Sequence, residues 1–212
     1  MQTNKTTYYQ LILDQSGSME SCKKATIDGF NNQLKSIHSM KIEYPEQEFF
    51  VSLTKFSSEP QHLFLDCSVD KIKNLTAETY NPDGNTALLD AIGECLFRLK
   101  TEKREEFAED KATAVVVIIT DGFENASKYF TQTAISRLIK DLSATDNFSI
   151  SFLGASIESI QQAERINIPH ENTRVYDSET MEEPFNLISD SLRMYASGKN
   201  RGSKPKKFFN EK

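Results

Sequence analysis

Apolar positions along the chain follow two rhythms. Tyr8 to Leu13 is an aromatic and aliphatic run that stops at Asp14, and Phe49 to Phe56 sets Val51 and Leu53 on one side. Runs of this length, rich in β-branched and aromatic residues, predict strands. Ser57 to Pro60 supplies turn residues and His62 to Cys67 offers a second short apolar run, so the pair predicts an antiparallel hairpin. Ala114 to Thr120 is apolar almost throughout, the pattern of a strand covered on both faces. Ser149 to Gly154 and Arg174 to Tyr176 complete the strand set.

Helical periodicity fills the intervals. Ile27, Phe30, Leu34 and Ile37 advance by three, four and three residues, and Leu89, Ile92, Leu96 and Leu99 repeat that spacing. Ile135, Leu138 and Leu142 form a third stripe; Phe185, Ile188, Leu192 and Tyr195 form a fourth. Each stripe predicts one buried helix face. Strands alternating with helices predict an α/β domain built on a mainly parallel sheet with helices around it. No internal repeat is visible.

Composition narrows the class. A chain of 212 residues suits a single core. No apolar run reaches the roughly 18 residues of a spanning helix, and the first ten residues lack the apolar centre of a secretory signal. A cytoplasmic protein without membrane contact is expected. Cys22, Cys67 and Cys95 are odd in number and widely spaced, which fits reduced core thiols better than a disulfide framework. The formal charge is -6, yet residues 199–212 carry +5, leaving -11 on the rest. An acidic body repels nucleic acid and suits cations. The final stretch, GKNRGSKPKKFFNEK, has no periodicity and is rich in Lys, so residues 6–196 are expected as the domain and residues 197–212 as a basic flexible tail. The tail either solubilises the chain or docks an acidic surface with Phe208 and Phe209.

Directly after the first strand comes Asp14-Gln15-Ser16-Gly17-Ser18, with oxygen-bearing side chains at alternate positions around a turn glycine. A carboxylate with neutral hydroxyls, free of sulfur and imidazole, favours Mg²⁺, Mn²⁺ or Ca²⁺ over zinc. The same pentapeptide also serves as a turn followed by a helix N-cap. Asp121 follows the apolar strand in Ile119-Thr120-Asp121-Gly122, and Thr86 stands in Gly84-Asn85-Thr86-Ala87-Leu88 before the second amphipathic helix. Each alone reads as an ordinary turn or cap. Asp90 and Glu124 lie beside these segments, as support for a site or as exposed charges.

Together DQSGSM, GNTALLDAIG and VVVIITDGFEN resemble the three metal-binding segments of the von Willebrand factor A family, in its order and strand context, over about residues 6 to 196. The resemblance implies a Rossmann-like, doubly wound sheet of six strands in the order 3-2-1-4-5-6, with the second hairpin strand as its antiparallel edge. It implies a metal-ion-dependent adhesion site on Asp14, Ser16, Ser18, Thr86 and Asp121. In that order the first and fourth strands meet at the topological switch point, so Asp14 and Asp121 reach one crevice. The expected function is recognition of a protein partner whose Asp or Glu completes the shell of the cation, without catalysis. The family also implies coupling to movement of the final helix, about residues 182 to 196, and membership of a stress-response or ATPase-linked scaffold. The enzymatic alternative is a Mg²⁺-dependent phosphotransferase or hydrolase, whose chemistry needs a second Asp two positions after the first; that position is Ser16. His38, His62 and His170 are scattered without a cue to a nucleophile.

Overall fold

The computed structural model describes residues 6–176, 182–200 and 209. Six strands, β1 (Thr6–Asp14), β2 (Glu48–Phe56), β3 (Pro60–Ser68), β4 (Ala112–Thr120), β5 (Phe148–Gly154) and β6 (Thr173–Val175), form one sheet in the order β3-β2-β1-β4-β5-β6. All pairs are parallel except β2 with β3, which bulges along its register. The helices are α1 (Lys23–Glu43), α2 (Leu88–Glu102), the short α3 (Arg104–Ala108), α4 (Gln132–Ser143), α5 (Ile157–Arg165) and α6 (Glu182–Asn200).

Period-two alternation sorts the two central strands onto two cores. Tyr9, Leu11 and Leu13 of β1, with Val115, Val117 and Ile119 of β4, meet Phe30, Leu34 and Ile37 of α1 and Phe185, Ile188 and Leu192 of α6. Tyr8, Ile12, Val116 and Ile118 face the other way, onto Leu89, Ile92, Leu96 and Leu99 of α2 and Ile135 and Ile139 of α4. In α4 the buried position is Ile139, while Leu138 packs at the margin. α5 escaped the periodicity because it buries little apolar surface: only Ile160 and Ala163 face the core, and Ile157 is exposed.

The last helix continues past Ala196 to Asn200. Lys199 is buried there, donating hydrogen bonds of 2.9 Å each to the Thr6 carbonyl, Thr7 Oγ1 and Thr113 Oγ1 at the start of β1 and β4. Residues 197–200 therefore belong to the helix, and the only described residue beyond them, Phe209, is buried with the Arg174 guanidinium 5.1 Å from its ring centroid. Residues 201–208 and 210–212 lie outside the described residues. Among the described residues no helix is long and apolar enough to cross a membrane.

Candidate metal centre

β1 and β4 are hydrogen-bonded neighbours, with Leu13 opposite Ile119, so Asp14 and Asp121 emerge side by side at their carboxyl ends. Three loops are tied together around them. The Gln15 N–H donates to the Phe56 carbonyl at 2.7 Å, Gly17 to that of Gly84 at 3.1 Å, and Asp83 to that of Gln15 at 2.9 Å. The third loop joins through Asn125, whose N–H donates to the Thr86 carbonyl at 3.0 Å and whose Oδ1 accepts from the Thr86 N–H at 2.9 Å. Gly84 turns the second loop with φ +79, a conformation that favours glycine.

All five expected side chains converge. The Ser16 N–H donates to Asp14 Oδ1 at 2.7 Å, Ser16 and Ser18 hydroxyls are 3.2 Å apart, and the Ser18 hydroxyl donates to Asp121 Oδ1 at 2.6 Å. Gly122 connects this set to Thr86. A Cβ at Gly122 would lie 3.0 Å from Thr86 Oγ1 and 3.6 Å from Asp14 Oδ2, so Gly122 packs closely against both oxygens and brings them to one place. Asp14, Ser16 and Thr86 are buried, whereas Ser18 is exposed at the mouth.

The capping alternatives do not describe these hydroxyls. Ser16 precedes a short 3₁₀ turn (Gly17–Cys22) without making a side-chain cap bond, and α2 likewise starts without one from its flanking residue, Ala87. The free N–H groups of α2 are met from elsewhere: Leu89 N–H donates to Glu124 Oε2 at 2.8 Å and Asp90 N–H to Ser127 Oγ at 3.0 Å. Glu124 also accepts from the N–H groups of Ala126 and Ser127, and Asp90 from those of Lys128, Tyr129 and Phe130. Asp90 and Glu124 thus hold the loop after β4 on α2.

Two residues outside the expected set touch Asp14. Thr120 Oγ1 donates to Asp14 Oδ2 at 2.5 Å and accepts from the Gly122 N–H at 3.0 Å. The buried Tyr80 hydroxyl donates to the Asp14 carbonyl at 2.7 Å. A polar residue closing an otherwise apolar strand was the available signal for Thr120; Tyr80, in a loop without periodicity, carried none.

Electrostatics favour a counter-charge. Burial pushes the Asp14 carboxyl up to about 6, against the hydrogen bonds from Thr120 and Ser16 and with the Asp121 charge adding to the rise. Burial also raises Asp121, opposed by the Ser18 hydroxyl. Among the described residues neither carboxylate is paired with Lys or Arg. Two desolvated carboxylates and three hydroxyls gathered at the carboxyl ends of β1 and β4, every one a hard oxygen, fit a small divalent cation.

The sequence matches the model of the von Willebrand factor type A domain over residues 10–124. No curated protein matches the chain. Among solved structures it is similar to the pilus adhesin SpaC from Lactobacillus rhamnosus GG in an open conformation, with 16% identity, a TM-score of 0.64 and coverage of 89% of this chain and 30% of that one. It is similar to the manganese-loaded TRAP protein of Plasmodium vivax, with 18% identity, a TM-score of 0.52 and coverage of 86% and 74%. It is also similar to proximal thread matrix protein 1 from the mussel byssus with a zinc-occupied MIDAS motif, with 16% identity, a TM-score of 0.54 and coverage of 90% and 46%. The chain thus spans less than half of the mussel protein and of SpaC, and at these identities the likeness concerns the fold. With the family model matched over more than half of its length and the six strands in the order that family implies, this chain belongs to the von Willebrand factor type A domain family.

Proposed function

We propose that Asp14, Ser16, Ser18, Thr86 and Asp121 hold one divalent cation, Mg²⁺ or Mn²⁺ before Ca²⁺, and that the domain recognises a protein partner through an Asp or Glu that completes the cation's shell. The observation that supports this most directly is the convergence of the five oxygen-bearing side chains, with Asp14, Ser16, Ser18 and Asp121 joined by hydrogen bonds and Thr86 Oγ1 and Asp14 Oδ2 both against Gly122, in a cluster whose carboxylates have no Lys or Arg partner among the described residues. Two of the similar structures are of a manganese-loaded protein and of one whose MIDAS motif holds zinc. When bound, the cation supplies a localised positive charge with a coordination position open to an anionic ligand. The chain's own residues do the rest: Asp14 and Asp121 provide charge, the hydroxyls provide neutral lone pairs, and the loop held by Asp90 and Glu124 fixes where Asp121 stands.

A phosphoryl-transferring reading lacks its second acid. Ser16 occupies that position, with its N–H on Asp14 and its hydroxyl against Ser18, and a serine hydroxyl does not ionise near neutral pH and so does not replace a carboxylate as general acid and base. We therefore favour a binding module, acting in the cytoplasm, alone or as a subunit of a larger assembly.

Mn²⁺ titration followed by electron paramagnetic resonance tests the site. The wild-type chain is expected to take up one ion saturably, and Thr86→Ala to weaken it at least tenfold with a melting temperature in EDTA close to wild type. Absence of saturable uptake by the wild type would refute the proposal. Elution of a co-purifying partner by EDTA, restored by Mg²⁺, tests the second half; a partner retained through full demetallation would separate recognition from the metal.

A further inference from the structure

At the end of the sheet opposite the metal centre, α3 and the last turns of α2 and α4 border a cavity of about 240 Å³ where β5 begins. Phe107, Leu142 and Phe148 make its floor, with the Phe107 and Phe148 ring centroids 4.8 Å apart. The polar groups of the wall are committed to the backbone. The Asn147 amide donates to the Phe107 carbonyl at 2.8 Å, and the Thr145 hydroxyl to that of Leu142 at 2.7 Å. These bonds fix the shape of the cavity and leave its floor apolar.

The rim is charged in an unusual way. Along residues 98–111, Arg98 pairs with Asp66 and Glu102, Lys103 with Asp66, and Lys111 with Glu109. Lys100 and Arg104, the two cations that line the cavity, make no ion pair among the described residues, although Glu105, Glu106 and Glu109 stand in the same stretch. The helix dipole accounts for Lys100 in the last turn of α2, but not for Arg104, which opens α3, where a cation is disfavoured. Asp141 is the single acid of the lining, so the rim is net positive on a chain of formal charge -6. Phe97, one helical turn before Lys100 and 59% exposed, adds apolar surface beside it.

Size and charge together select an occupant. Pockets for whole small molecules run to roughly 300–1,000 Å³. This cavity is smaller and has room for one large side chain, the scale of an anchor residue at a protein interface. We propose that it docks a partner protein through an aromatic or large aliphatic side chain flanked by Asp or Glu, the anchor covering Phe107 and Phe148 and the acids pairing with Lys100 and Arg104. Neither cation has to give up a carboxylate to do so. The acidic remainder of the surface repels the same segment, so charge directs it to this rim. The site stands apart from Asp14 and Asp121, does not depend on a cation, and leaves the metal centre free for a second partner.

Three end-blocked pentapeptides test this in EDTA: Glu-Glu-Phe-Glu-Glu, Gln-Gln-Phe-Gln-Gln and Glu-Glu-Ala-Glu-Glu. Backbone amide chemical shifts of the full chain report both the place and the affinity of binding. The first peptide is expected to shift Lys100, Arg104, Ala108 and Asn147 saturably. The neutral peptide is expected to bind about fivefold more weakly, and the alanine peptide about tenfold more weakly. Lys100→Glu combined with Arg104→Glu is expected to weaken the first peptide about tenfold, with melting close to wild type because both side chains are exposed; Arg104→Gln is the milder variant, with a smaller loss in the same direction. No saturable shift at these residues, or equal affinity for the neutral or the alanine peptide, overturns the docking site. Shifts centred on other residues, unchanged by either substitution, overturn it as well.

Discussion

Replacing Asp14 by Asn separates what this residue does for the fold from what it does for a cation. Burial holds the Asp14 carboxyl at about 6 rather than 3.8 in the folded, metal-free chain, so ionising it near neutral pH disfavours the native state. The difference corresponds to roughly 3 kcal/mol. Asn removes that charge and keeps most of the local bonding, because its Oδ1 can accept from the Ser16 N–H and its amide can donate to Thr120 Oγ1. The expected result in EDTA at pH 7.5 is a variant more stable than wild type by about 1 to 3 kcal/mol, a rise of several degrees in melting temperature for a chain of this size. The pH dependence has a fixed sign. A carboxyl raised in the folded state favours folding when protonated, so the wild type loses this contribution as pH rises from about 4 to about 6. The advantage of Asn should therefore vanish below about pH 4 and level off above about pH 6. Mn²⁺ reverses the order. Free Mn²⁺ at about 100 times Kd stabilises the wild type by about 2.7 kcal/mol, close to cancelling the difference, and at about 1,000 times Kd by about 4.1 kcal/mol. An Asn variant less stable than wild type in EDTA, by an amount independent of pH, would make Asp14 a structural hub and refute the reasoning.

Two further substitutions probe the frame of the site. Gly93→Ala puts a Cβ 2.4 Å from the Phe130 ring, whose backbone N–H is held on Asp90, and overpacking of this kind is expected to lower stability by about 1 to 3 kcal/mol in urea denaturation. Lys199→Met removes three donated hydrogen bonds at the start of β1 and β4 and is expected to cost about 2 to 3 kcal/mol; a midpoint equal to wild type would place residue 199 functionally in the tail.

Four of the helices could be read from the chain because each buries a regular stripe, and the strands because short apolar runs rich in β-branched and aromatic residues stop at turn residues. α5 could not, since two buried apolar residues in nine make too thin a stripe. The five side chains of the candidate site were legible as three short segments, yet nothing in their spacing places Thr86 beside Asp14; that proximity depends on loops tied by backbone bonds such as Gly17 to Gly84, which side-chain patterns do not record. Lys199 was hidden for a different reason. A lysine in a basic, Gly-containing stretch reads as solvated, and its burial is supported by two threonines and a carbonyl at the strand starts that accept from it. Tyr80 reaches the site from a loop, where no period exists to read.

The division of labour among polar residues explains why the cluster can serve a ligand at all. Ser, Thr and Asp are the residues that ordinarily satisfy free N–H groups at helix starts, and had Thr86 done so for α2, its lone pairs would be committed. Here Glu124 and Ser127 reach across from the loop after β4 to meet Leu89 and Asp90, while Asp90 returns three bonds to that loop. Each segment thereby closes the other's unsatisfied backbone. Thr86 Oγ1 stays beside Gly122 and near Asp14, and Asp121 is carried by a loop whose position is set by carboxylates that do not themselves join the cluster. A cluster assembled this way is organised by its own hydrogen bonds, and its cost is confined to charge: among the described residues Asp14 and Asp121 have no Lys or Arg partner.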